Sequence, residues 1–226
     1  MHPHSNDPAD SDRHESSTSL HPGDPSDAAV VARLHVQCIT EGFLSNLGPR
    51  FLTRLYGRIC RSDGSFLLVA VPREPKERSM VAGFIAGSVS VRRLYVDFLR
   101  HDAPAAAASA PWRLARAWPR ALETLRHGRS GSPMPSGGEL LAIAVDPAWR
   151  GNGVGRQLVE GFVAELEGRA VHDAHVVVGA DNAAARALYR RAGFAESRSL
   201  EVHKGTSSVL MQRPPRGSGP AEGQTA

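Results

Sequence analysis

The chain has 226 residues, 41% of them hydrophobic and 22% charged, which excludes wholesale disorder and supplies a packed core. At ~100–200 residues per domain, this length fits a single domain with tails. The 27 basic residues exceed the 23 acidic ones by only four, a balance that names no partner. Lys76 and Lys204 are the only lysines, so the positive charge is almost all guanidinium. That suits bidentate phosphate or carboxylate contacts, and equally a GC-rich bacterial genome. Two cysteines, Cys38 and Cys60, are too few for a disulfide framework and read as buried free thiols in a reducing compartment. No apolar run approaches the ~18 residues of a membrane span, and residues 1–12 lack the apolar region of a secretory signal. The expected location is cytoplasmic, with no membrane partner.

In chain order, residues 1–15 read as a disordered acidic tail, 16–213 as one domain, and the Pro/Gly-rich 214–226 as a second tail. A short strand is expected near 17–20. Asp27 is placed to cap a helix carrying Val31, Leu34 and Cys38 on one face. Pro49 suits the first turn of a second helix with the stripe Phe51, Leu52, Leu55, Tyr56 and Ile59. Residues 65–71 and 80–89 read as a hairpin around the turn 72–79. Residues 92–138 break the rhythm: a short helix through Leu94, Val96, Phe98 and Leu99, an Ala/Pro linker, a helix near 112–125 and a loop over 128–138. Then follow a strand at 139–145, a helix at 153–167, a strand at 175–179, a helix at 182–192, and closing strands at 195–203 and 206–212. Strand and helix signals alternate throughout, which indicates one α/β domain with a mixed sheet.

Charge divides unevenly along this plan. Residues 1–27 and 213–226 together hold seven acids (Asp7, Asp10, Asp12, Glu15, Asp24, Asp27, Glu222) and three bases (Arg13, Arg213, Arg216). That leaves 24 basic and 16 acidic residues between 28 and 212, a balance of +8. The expected domain is more basic than the whole chain.

The most informative segment is ELLAIAVDPAWRGNGVG, residues 139–155. A strand ends, then Arg150, Gly151, Asn152, Gly153, Val154, Gly155 and Arg156 run into an amphipathic helix. A helix N-terminus offers unpaired N–H groups and partial positive charge. Glycines let an anion approach the backbone. Together these make a pyrophosphate cradle, with Arg150 and Arg156 able to add charge-assisted bonds. The spacing is one residue short of a dinucleotide-binding G-x-G-x-x-G, and the Gly-Lys-Ser/Thr of a P-loop is absent.

This segment resembles the acetyl-CoA pyrophosphate motif of the GNAT N-acetyltransferase superfamily. A second motif follows in the expected place, DNAAARALYRRAGF at 181–194, with Asn182, Ala185, Tyr189, Gly193 and Phe194 in register. The resemblance covers about 139–194. It implies an α/β (α+β) fold whose central, mostly antiparallel mixed sheet has splayed central strands and flanking helices. Residues 92–138 would be a helical insertion before the acetyl-CoA-binding strand.

The resemblance also implies acetyl-CoA as cosubstrate, its pantetheine arm pairing with the backbone of Ile143, Ala144 and Val145. The Val145 amide would polarise the thioester carbonyl. Asn182 would hold the arm near its thiol. Tyr189 would protonate the leaving thiolate, a role its ordinary pKa of ~10 suits. Glu139, at the strand start, is the candidate base for the incoming amine, directly or through water. The acceptor would be a small-molecule amine or a protein amino group, and a homodimer is compatible with this reading. The sequence carries no Cys/His set with metal-ligand spacing. Its dispersed basic residues lack the interleaved aromatics of a nucleic-acid reader. The alternative is a non-catalytic acyl-CoA-binding regulatory module, which would keep the cradle and need no base.

Overall fold

Seven strands form one sheet in the order β1-β2-β3-β4-β5-β7-β6 in the computed structural model, which describes residues 18–39, 47–73, 80–102, 135–203 and 206–215. The strands are β1 (Thr18–Pro22), β2 (Ser65–Pro72), β3 (Gly83–Ser88), β4 (Gly138–Val145), β5 (Ala174–Gly179), β6 (Ala195–His203) and β7 (Thr206–Arg213). Every pairing is antiparallel except β4–β5. The helices are α1 (Ala28–Cys38), α2 (Pro49–Arg61), α3 (Val91–His101), α4 (Val154–Gly168) and α5 (Ala183–Arg191), with a 3-10 turn at Pro147–Trp149. The fold expected from sequence is the fold observed: mixed α/β, mostly antiparallel, flanked by helices. The second helix and loop expected within 92–138 fall largely on 103–134. That stretch, residues 1–15 and residues 216–226 lie outside the described residues.

The sheet separates two cores. On one face, α4 buries Val154, Leu158, Val159, Phe162 and Leu166 against Phe66, Leu68, Ile85, Leu140 and Val176. On the other, α1, α2 and α3 pack Val31, Leu52, Ile59, Leu94 and Phe98 against Leu67, Val69, Phe84 and Ala144. This explains the unbroken apolar run of β2, where a strand covered on both faces needs no polar alternation. Each fully buried large side chain contributes on the order of 1.5–3 kcal/mol.

Local signals placed most boundaries. Pro49 opens α2, where its missing N–H costs nothing. Asp27 precedes α1 as expected but makes no side-chain cap. Its carboxylate instead accepts from the Asp24 amide at 3.0 Å, in the turn before the helix. Cys38 and Cys60 are free, and half-buried rather than buried.

Candidate active site

A fork in the sheet defines the site. β4 and β5 pair only at Gly138↔Ala174 and Glu139↔His175. Beyond that rung β4 stays bonded to β3 and β5 to β7, leaving a gap between them. The helix α4 makes the crossover that a parallel pair requires. The Asp146 amide bonds the Ala82 carbonyl on the β3 side. Alternation along the strand therefore turns Ala144 toward β3, and Ile143 and Val145 toward the gap. Of the three residues expected to offer backbone groups, Ile143 and Val145 are the two with open orientation. The Val145 carbonyl already accepts from the Cys38 thiol at 3.6 Å and from Arg150 Nε at 3.2 Å.

The glycine-rich loop closes the gap at the C-terminal end of β4. Gly151 and Gly153 have φ of 82° and 77°, a conformation that favours glycine. A Cβ on either would meet nothing within 4 Å, so the space in front of the loop is open to a ligand. Gly153 precedes α4, and no side chain caps it. The first intrahelical bond is from the Gln157 amide to the Gly153 carbonyl. The Val154, Gly155 and Arg156 amides are thus among the orphan donors of the helix start. This geometry fits the phosphates of a CoA molecule. Val154 itself is buried and supplies packing, whereas Asn152 is exposed. Arg150 folds back onto β4, and Arg156 is engaged by Glu160 one turn on, at 2.7 Å.

Asn182 caps α5, its Oδ1 accepting from the Ala185 amide at 3.0 Å. Glu196 on β6 binds both Arg186 and Arg190, and these contacts hold its carboxyl below the usual range. That tie fixes α5 against the sheet edge. Tyr189 is buried against Phe194, ring centroids 5.9 Å apart. Burial pushes its phenol well above the ordinary value, so it stays protonated.

Glu139 sits at the fork, its side chain 30% exposed, with Oε2 3.5 Å from His175 Nε2. Tyr95 of α3 lies within electrostatic reach. Burial first, and the Glu139 charge second, raise its phenol, although 36% of the residue is exposed. The sequence did not mark His175 or Tyr95 as site residues, and it placed Cys38 only on the packed face of its helix. The signal for His175 was a lone titratable residue opening the apolar strand AHVVVG.

Glu139 and Val145 pair with Ser88 and Gly83, five steps apart on β3, so about 17 Å of strand separates them. A ligand that touches both the loop and the fork is therefore long and thin. A glycine-lined helix N-terminus joined to a carboxylate by an open strand edge defines a fold able to hold an extended ligand with a phosphate tail. The family model for the acetyltransferase (GNAT) family matches residues 50–194, and the chain belongs to that family. It is 36% identical over 93 residues to the mycothiol acetyltransferase of Cellulomonas flavigena, covering 41% of this chain and 24% of that protein. It is 48% identical over 58 residues to the ribosomal protein bS18-alanine N-acetyltransferase of Escherichia coli strain K12, covering 26% of this chain and 39% of that protein. These matches span about a quarter to two fifths of the relatives' own length. The crystal structure of Arabidopsis thaliana NAA60 in complex with acetyl-CoA has the same fold. Its TM-score is 0.56 at 17% identity, covering 87% of this chain and 98% of that one.

Proposed function

We propose that this chain is an acetyl-CoA-dependent N-acetyltransferase that acetylates a primary amine by direct attack, without an acyl-enzyme. One observation carries the reading: β4–β5 pairing stops after two rungs beside an uncapped helix N-terminus. The gap accepts an extended arm and the helix start accepts its phosphates.

In this mechanism the amine nitrogen bonds to the thioester carbon and the C–S bond breaks. The nitrogen loses one proton and the sulfur gains one. Glu139 takes the amine proton, directly or through one water. Tyr189 hydrogen-bonds the departing sulfur and passes it a proton. Burial raises the Tyr189 phenol, so it meets the departing sulfur as a protonated donor. Val145 is about 17 Å of strand from Glu139, too far for its amide to polarise a carbonyl that Glu139 serves. The bulge residue Leu141, opposite the register shift at Ala86/Gly87, has backbone groups that β3 does not claim. We assign the polarising donor to that bulge, and the arm contacts to Ile143 and Val145. Asn182, capping through Oδ1, retains its Nδ2 for the arm.

The acceptor class follows the relatives, one named for the alanine of a ribosomal protein and one for mycothiol. Calorimetry with acetyl-CoA, then CoA-thiol release with an N-terminal-alanine peptide and a panel of small amines, tests the proposal. Saturable binding with turnover on one acceptor is expected. Undetectable binding overturns it. Binding without turnover on any amine favours the non-catalytic module.

A further inference from the structure

His175 is 3% exposed, yet neither ring nitrogen has a hydrogen-bond partner among the described residues. Buried polar groups without partners are rare enough in native proteins to require a reason. The rest of the strand is apolar, with Val176, Val177 and Val178 following. Packing alone would be met by another valine or a phenylalanine. The ring faces Glu139 across the last rung before the fork, Nε2 to Oε2 at 3.5 Å. That is ion-pair reach but not a formed hydrogen bond. Such contacts often tighten only when the reacting complex assembles. The other described neighbours supply no substitute: Gln212 is the β7 partner of His175 and Tyr95 lies within electrostatic reach of Glu139, and neither bonds the ring.

We propose that His175 is the positioning residue of Glu139, its Nε2–H donating to Oε2 and leaving Oε1 for the acceptor amine or its water. This rests on the reading of Glu139 as the base. A carboxylate has two oxygens, and a glutamate side chain has several staggered rotamers to choose among. Its side chain is partly exposed while the histidine ring is sealed. A fixed donor on one oxygen selects the rotamer that aims the other. A base left free of that donor spends part of its time off target, and misplacement by about 1 Å costs on the order of 100-fold in rate.

The test combines spectroscopy and kinetics. Long-range 1H–15N correlation of the wild-type protein, with His175 assigned by its loss in His175→Gln, reads the tautomer. A proton on Nε2 is expected, and a neutral ring protonated only on Nδ1 overturns the proposal. Kinetics use the best acceptor of the amine panel. His175→Phe keeps the ring volume and removes the donor. A kcat loss of about 10- to 100-fold is expected, with the KM for acetyl-CoA unchanged. His175→Gln restores an N–H donor and recovers most of the rate. In a Glu139→Gln background, His175→Phe has no further effect, because positioning acts only through the base. Wild-type kcat in His175→Phe, additive losses, or parallel loss of acetyl-CoA binding each overturn the proposal. Full activity in Glu139→Gln alone is a separate failure, that of the base assignment. If His175→Phe does not fold, the tautomer and the His175→Gln kinetics carry the test.

Discussion

Gly153→Asp separates phosphate recognition from folding. Gly153 has φ 77° and ψ −1°, and a Cβ there meets no heavy atom within 4 Å. The folding cost is therefore only that of a left-handed residue, ~1–2 kcal/mol, with aspartate at the tolerant end. For a chain of this size that lowers Tm by ~2–4 °C per kcal/mol. The binding cost is electrostatic. A carboxylate about 5 Å from a pyrophosphate of charge −2 is repelled by ~1.7 kcal/mol even at the dielectric of bulk water. Since ~1.4 kcal/mol is tenfold in affinity, acetyl-CoA binds at least ~15-fold more weakly at low salt. Gly153→Ala carries comparable backbone strain without the charge, so it isolates the electrostatic part. Calorimetry of both variants at low and high ionic strength is the assay. The Asp/Ala affinity gap is expected to be wide at low salt and to narrow as screening shortens the reach of the charge. Equal affinities for the two variants at low salt would refute a phosphate site at this loop.

Three further outcomes follow from buried or half-buried groups. Tyr189→Phe should lower kcat by ~100-fold or more, as loss of a general acid does, while acetyl-CoA affinity measured by calorimetry stays near wild type. Equal loss of both would make Tyr189 a packing residue. His35 Nδ1 meets the Tyr56 hydroxyl at 2.6 Å, and burial pushes the His35 ring down from 6.5 to about 4. A lowered folded value means the unfolded chain binds the proton first, so this contribution to stability is full above pH 6.5 and is lost as pH falls toward 4. Between pH 7.5 and 5 that amounts to roughly 2 kcal/mol. Urea unfolding at the two pH values should show a fall that much smaller in His35→Phe, and an unchanged fall would sink the assignment. Burial also pushes the Cys60 thiol up to about 11. In a Cys38→Ser background its alkylation by iodoacetamide should keep rising from pH 9 to 11. A plateau by pH 9 would contradict this.

The parts of the site that were legible in the sequence are those fixed locally. The glycine loop and the start of α4 follow from a few adjacent residues, because left-handed turns and helix caps are short-range devices. Asn182 illustrates the limit of such signals. A short polar side chain before an alanine run marks a helix cap as well as a ligand contact, and its Oδ1 is spent on the Ala185 amide. Arg150 is a second case. The motif points it at phosphate, whereas its Nε lies on the Val145 carbonyl, a group that Cys38 also reaches once α1 has docked across β4. The Arg150 contact is local, but the Cys38 contact has no sequence signature, because it joins elements far apart in the chain.

The base end of the site depends on one residue of register. Ala142 and Ala144 face the α1–α3 core, and Ile143 packs toward the α4 core. Strict alternation would carry Leu140 to the α1–α3 side and bury Glu139 beneath α4. Leu140 instead packs in the α4 core and Leu141 joins Ala142 on the other face. The register shift at Ala86/Gly87 permits this, pairing Ala86 with Ala142 and Gly87 with Leu140, so Leu141 is the extra residue. That single insertion turns Glu139 toward Tyr95 and His175. A run such as ELLAIAV carries no periodicity that would announce it, since every position after the first is apolar. The chemistry of Glu139 thus rests on a bulge, because a one-residue slip would move its carboxylate to the opposite face of the sheet.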